Sequence, residues 1–97
     1  MRHMQVSIQM LLVLKGFLEC PTDELWGTEI MRSTHIAAGS IYPLLKRLQE
    51  AGFLRSREEK INPVLAGRPA RRYYRLTDEG RTKALEIFKE LKIRDPA

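Results

Sequence analysis

One cysteine, Cys20, and two histidines, His3 and His35, are all that the 97 residues offer for disulfide or zinc chemistry. A single thiol closes no internal disulfide, and the Cys/His spacing of a zinc site is missing, so neither a metal nor a cofactor is expected. There is no run of about 20 apolar residues and no signal-like start, which points away from a membrane and toward the cytoplasm. A phosphate-cradling glycine loop is also missing, because Gly67 lies in the proline-rich stretch INPVLAGRPA and not between a strand and a helix. Cys20 and His35 have no third group to orient them, and the carboxylates are scattered among basic residues. An enzyme is not expected. Internal repeats and low-complexity tracts are absent as well.

Positive charge is plentiful, and it is localised. The formal net charge is +5, with an isoelectric point of about 9.7. Between Lys46 and Arg75 stand nine cationic side chains (Lys46, Arg47, Arg55, Arg57, Lys60, Arg68, Arg71, Arg72, Arg75) and three anionic ones, while the rest of the chain is nearly neutral. Such a field favours a polyanion, since each lysine or arginine that meets a phosphate releases condensed counterion. At this length one domain with one modest core is expected.

Hydrophobic spacing predicts the elements. Gln5 to Glu19 reads as a helix that is apolar most of the way round, with five consecutive apolar residues from Met10 to Leu14; it needs cover on several sides. Pro21 ends it, and Thr22 or Asp23 is expected to cap a second helix over residues 24–33. Thr34 to Gly39 then forms the turn of a helix-turn-helix. In GSIYPLLKRLQEAGFL, Ile41, Leu44, Leu45, Leu48 and Ala51 share one face and leave Tyr42, Pro43, Lys46, Arg47, Gln49 and Glu50 on the other. Pro43 is expected within the first turn, the helix start between Ala38 and Ser40, and Gly52 just past its end.

Residues 53–60 and 71–76 read as paired strands whose long loop makes a mobile wing tip. Tyr74 and Leu76 are expected to face inward, Tyr73 and Arg75 outward. Thr77 caps a last helix, with Lys89, Lys92 and Arg94 complementing the dipole near its end; the tail from Arg94 onward is expected to fray. Residues 1–76 are thus expected to form a DNA-binding unit and residues 77–97 a dimerisation helix packed on it. Overall the chain is expected to be mainly α with a small β-hairpin wing. The apolar surplus of the first and last helices predicts a homodimer through Met10, Leu11, Leu14, Leu18, Leu85, Phe88 and Leu91.

The expected partner is double-stranded DNA. A helix whose N-terminal end enters the major groove presents Ala38, Gly39, Ser40, Tyr42 and Pro43 there, with Lys46 and Arg47 farther along. Arg68, Arg71, Arg72 and Tyr73 of the wing follow the backbone or enter a minor groove. Tyr42 serves equally well as a half-buried aromatic holding the second helix.

GSIYPLLKRLQEAGFL, together with GRPARRYYRLTDEG and LWGTEIMR, resembles the PadR family of winged helix-turn-helix transcriptional regulators over roughly residues 8 to 88, with Trp26 where a tyrosine is usual. The resemblance implies a dimeric repressor released by a small hydrophobic or aromatic effector. It is similar to short members whose single last helix makes the dimer. That helix lacks tryptophan, so an aromatic stacking site is not carried over. For an effector, Met10, Leu14, Phe17 and Phe88 are the candidates, with a core role as the alternative. A MarR-like regulator and a winged-helix module that binds an acidic protein are the other readings of the same pattern.

Overall fold

Ser7 accepts the Met10 backbone N–H at 3.1 Å, the cap that starts α1 (Ile8–Leu18). The computed structural model describes residues 5–20 and 22–94, with side chains to Leu91. The stop expected at Pro21, the role of the Lys92 side chain and the fate of residues 95–97 lie outside these. Met10, Val13, Leu14 and Phe17 form the buried face of α1, each at most 2% exposed.

The second helix starts later than its apolar spacing suggests. Leu25–Trp26 is a short strand, β1, and α2 is Gly27–Thr34. The Glu29 carboxylate accepts the Trp26 N–H at 3.0 Å, so neither Thr22 nor Asp23 is the cap; Thr22 instead donates its hydroxyl to the Glu24 carbonyl. Periodicity cannot separate two strand residues from a first helical turn, and here the pairing of β1 with a distant strand decides. His35, in the left-handed conformation (φ 59°), ends α2. Three residues later α3 (Ala38–Glu50) begins. Pro43 is its sixth residue, one turn deeper than expected, so the helix goes without one bond, to the Gly39 carbonyl. Gly52 follows at φ 88°.

β2 (Leu54–Glu58) and β3 (Arg72–Leu76) pair antiparallel, and β1 adds to the far side of β3, giving a three-stranded sheet in the order β1-β3-β2 where a two-stranded wing was expected. The connection is not a featureless tip: Asn62 caps a single turn, α4 (Pro63–Ala66), through the Val64 and Leu65 N–H groups. The inner face of the sheet carries Leu54, Tyr74 and Leu76 onto a core completed by Ile30, Ile36, Ile41, Leu44, Leu45, Leu48, Phe53 and Ala84.

Thr77 links the wing to α5 (Asp78–Arg94). Its hydroxyl donates to the Gly52 carbonyl at 2.6 Å and accepts the Gly80 N–H at 2.8 Å, while its own N–H donates to the Phe53 carbonyl at 3.0 Å. Arg94, expected to fray, still belongs to the helix. Among the described side chains of α5, Ala84 is the apolar one that is fully buried, with Ile87 and Phe88 packed partly against the core.

Candidate nucleic-acid interface

The buried stripe of α3 sets what its other face can offer. Ile41, Leu44, Leu45 and Leu48 are 0–1% exposed, which turns Ala38, Gly39, Ser40, Tyr42, Pro43, Lys46 and Arg47 to the exterior. At the N-terminal end the surface is small and flat. A Cβ built on Gly39 meets nothing within 4 Å, and the backbone there needs no positive φ. Nothing inside the described chain therefore demands a glycine at this position. Tyr42 holds the second helix, its ring lying so close over Gly27 that a Cβ there would collide with the phenol, and it keeps 46% of its surface exposed.

The wing cations divide between two faces of the sheet. On the α3 side, Arg72 donates to the Ser56 hydroxyl at 3.1 Å, and Ser56 donates to the Gln49 side chain of α3 at 3.2 Å. Arg72 also lies 3.8 Å from Glu58 and stays half exposed. On the opposite face, Arg71 sits over the Trp26 ring, 4.0 Å from its centroid, and Arg57 over the Tyr73 ring at 4.8 Å. Strand alternation imposes this split, because register pairs Trp26 with Tyr73 and Arg57 with Tyr73. The basic segment is therefore not one continuous surface, and Arg71 and Tyr73 do not join α3.

Arg68, expected as a contact, is engaged within the wing. Its guanidinium donates to both Glu59 carboxylate oxygens, at 2.7 and 3.1 Å, and the Arg71 N–H donates to the same carboxylate at 3.2 Å. Such a fork fixes geometry as well as charge. The Arg68 hydrogen bond, opposed by desolvation and helped by the Arg71 amide, lowers the Glu59 carboxyl from its ordinary 4.5 to about 2. A depressed carboxyl stabilises the fold above its unfolded value, and that contribution is lost as pH falls through the folded one. An acid titration followed by the Arg71 amide resonance should therefore show a midpoint near pH 2. A midpoint at 4.5 would mean that the clamp does not hold in solution.

Lys60 is exposed beside the wing loop. Val64 and Leu65, 87% and 86% exposed on α4, form an apolar tip that no periodicity announced.

The residues expected at a dimer contact also separate. Met10 and Leu14 are 1% and 0% exposed within the single chain, taken up by its own core, and so cannot be the outer surface of α1. Among the described residues the large exposed apolar positions are Ile8 and Leu12 on α1, with Val6 just before its cap, and Leu85 and Leu91 on α5; Leu11, Leu18 and Phe88 are half-buried. Of the four effector candidates, Met10, Leu14 and Phe17 are core. Phe88 lines a hollow of ≈ 400 Å³ with Lys15, Leu18 and Glu19.

Among the described residues no group of three or more His, Cys, Asp or Glu side chains could hold a metal ion, and no helix is long and apolar enough to cross a membrane.

Residues 24–86 match the model of the transcriptional regulator PadR-like family. The structure is similar to NadR in complex with 4-hydroxyphenylacetate (TM-score 0.73, 21% identity, 92% of this chain and 57% of that one). It is also similar to reduced AbfR bound to DNA (0.70, 20%, 92% and 58%) and to disulfide-formed AbfR (0.69, 20%, 92% and 55%). At such identities the likeness is one of fold, and the chain spans little more than half the length of these structures. No curated relative matches in sequence.

Proposed function

This chain belongs to the PadR-like family of transcriptional regulators, and from that premise we propose that it is a homodimeric, cytoplasmic repressor, with no catalytic activity, that reads an inverted-repeat operator. Two α3 helices enter successive major grooves roughly 34 Å apart. Ala38, Gly39 and Ser40 lie against base edges, with Tyr42 and Pro43 beside them. Lys46 and Arg47 meet phosphates, and Arg72 and Lys60 follow the backbone from the wing. The Val64 and Leu65 tip meets the minor groove. Residues 1–76 bind DNA and residues 77–97 dimerise. The dimer face is the apolar strip of Ile8, Leu12, Leu85 and Leu91, extended by Leu11, Leu18 and Phe88; an exposed strip of this kind on two neighbouring helices seeks a partner. A small hydrophobic effector fits the hollow at Phe88, whose floor the dimer would cover.

The unoccupied space over Gly39 is the observation that carries this reading. A glycine that costs helix stability and has no internal neighbour is explained by close approach of something outside. Gly39→Ala should raise stability by up to about 1 kcal/mol while weakening binding to an operator selected from random DNA. Unchanged affinity would refute the placement of α3 in the groove, and a selection that enriches no palindrome would refute the inverted-repeat dimer.

A further inference from the structure

The face of the sheet turned away from α3 carries more positive charge than its neighbours neutralise. Register places Arg55 directly opposite Arg75. Like charges at such a rung repel, and among the described residues neither guanidinium has a hydrogen bond or ion pair to a protein group. Arg75 is also half-buried, and its Nε is shielded from solvent without an acceptor. An unpaired donor of this kind costs free energy until an acceptor reaches it.

Between these side chains lies a hollow of ≈ 220 Å³ lined by Glu24, Arg55, Ser56, Arg57, Tyr73 and Arg75. Its one carboxylate, Glu24, is held by the Arg57 Nε at 3.0 Å, and Arg57 in turn covers the Tyr73 ring. Arg57 and Glu24 thus neutralise each other and make one wall. Arg55 and Arg75 are left with two uncompensated charges facing one space.

We propose that this hollow is a binding site for a small dianionic phosphate monoester, bridged by Arg55 and Arg75. Charge selects the ligand: a dianion neutralises both guanidiniums, whereas a carboxylate leaves one charge over. Geometry agrees, because planar guanidinium forks donate two parallel N–H bonds to phosphate oxygens. Size restricts it further, since the hollow is smaller than the roughly 300–1,000 Å³ of ordinary drug-sized ligand sites. The rung lies three residues from the Arg72 rung, about 10 Å along the strand, and on the other face. The site is therefore separate from the proposed DNA surface and does not rest on it.

The test is calorimetric titration of the whole protein at fixed ionic strength with inorganic phosphate and with methyl phosphate. One saturable site per chain is expected, and Arg75→Gln should weaken it at least about tenfold. Arg55→Glu should do two things at once: abolish phosphate binding, and raise Tm in phosphate-free buffer by roughly 2–5 °C as repulsion becomes a cross-strand ion pair. That gain separates loss of a ligand from loss of the fold. No saturable heat, unchanged binding in Arg75→Gln, or a lowered Tm in Arg55→Glu would each overturn the site. Arg55→Gln should leave operator affinity within about threefold of wild type. Loss of operator binding in that variant without a phosphate isotherm in the wild type would reassign the rung to DNA. A failed operator selection leaves the phosphate isotherm as it was.

Discussion

Gly80→Ala should destabilise the protein by roughly 2–3 kcal/mol, the cost of forcing a methyl group into a packed site with no void, and lower Tm by roughly 10–20 °C in a chain of this size. A Cβ at Gly80 would overlap the Phe53 backbone carbonyl, with the Phe53 Cα and carbonyl carbon close behind. A backbone does not rotate away as a side chain can. The same carbonyl accepts the Thr77 N–H, and the Thr77 hydroxyl holds both Gly52 and Gly80. Relief therefore requires α5 to move off the base of the wing and give up its cap. The helix-propensity gain of alanine, up to about 1 kcal/mol, is too small to offset this. Urea unfolding measures it; a loss below about 0.5 kcal/mol would show that α5 slides freely over Phe53. The contrast with Gly39 is informative, because the same substitution is expected to stabilise one position and to damage the other.

Reversing charge at Lys46 and Arg47 together, to glutamate, should reduce operator affinity at least about 100-fold at moderate salt and make the dependence of log K on log salt shallower by about 4, since each protomer of the proposed dimer loses two phosphate contacts. Both side chains are exposed on the outer face of α3, whose inner face is fixed in the core by Leu44, Leu45 and Leu48. The variant should consequently fold normally, and its circular dichroism should match wild type. A control of equal net charge, Lys83→Glu with Lys89→Glu on α5, distinguishes contact from overall attraction. Both lysines are exposed, and a change of only a few-fold is expected because screening acts over about 8–10 Å. Equal losses in the two variants would mean that net charge, and not the face of α3, governs binding.

Much of the architecture was legible from spacing. The inward stripe of α3 follows from a 3.6-residue repeat of Ile41, Leu44, Leu45 and Leu48, all of which are core. Alternation in β3 likewise put Tyr74 and Leu76 inside, and Thr77 carried the signature of a cap that the Gly80 N–H completes. β1 escaped because two strand residues have no period of their own; Leu25 and Trp26 are strand only because Tyr74 and Tyr73 pair with them. The outer face of α1 was misread for a related reason. A helix that is apolar all round says that several sides need cover, but not which side its own chain supplies, and Met10 and Leu14 were claimed internally.

Legible in the sequence alone was the kind of fold: helices with a wing, a basic segment from Lys46 to Arg75, and motifs specific enough to name a family. These are local properties, fixed by periodicity, turn chemistry and composition. Where the charge lies was settled by the pairing of the strands. Antiparallel register sends alternate residues to opposite faces, so adjacent arginines 71 and 72 part company, one onto Trp26 and the other toward α3 through Ser56. Glu59 holds Arg68 within the wing at 2.7 Å. Arg55 and Arg75, distant in sequence and given no role there, meet across one rung, because pairing partners are set by the fold and not by nearness in the chain.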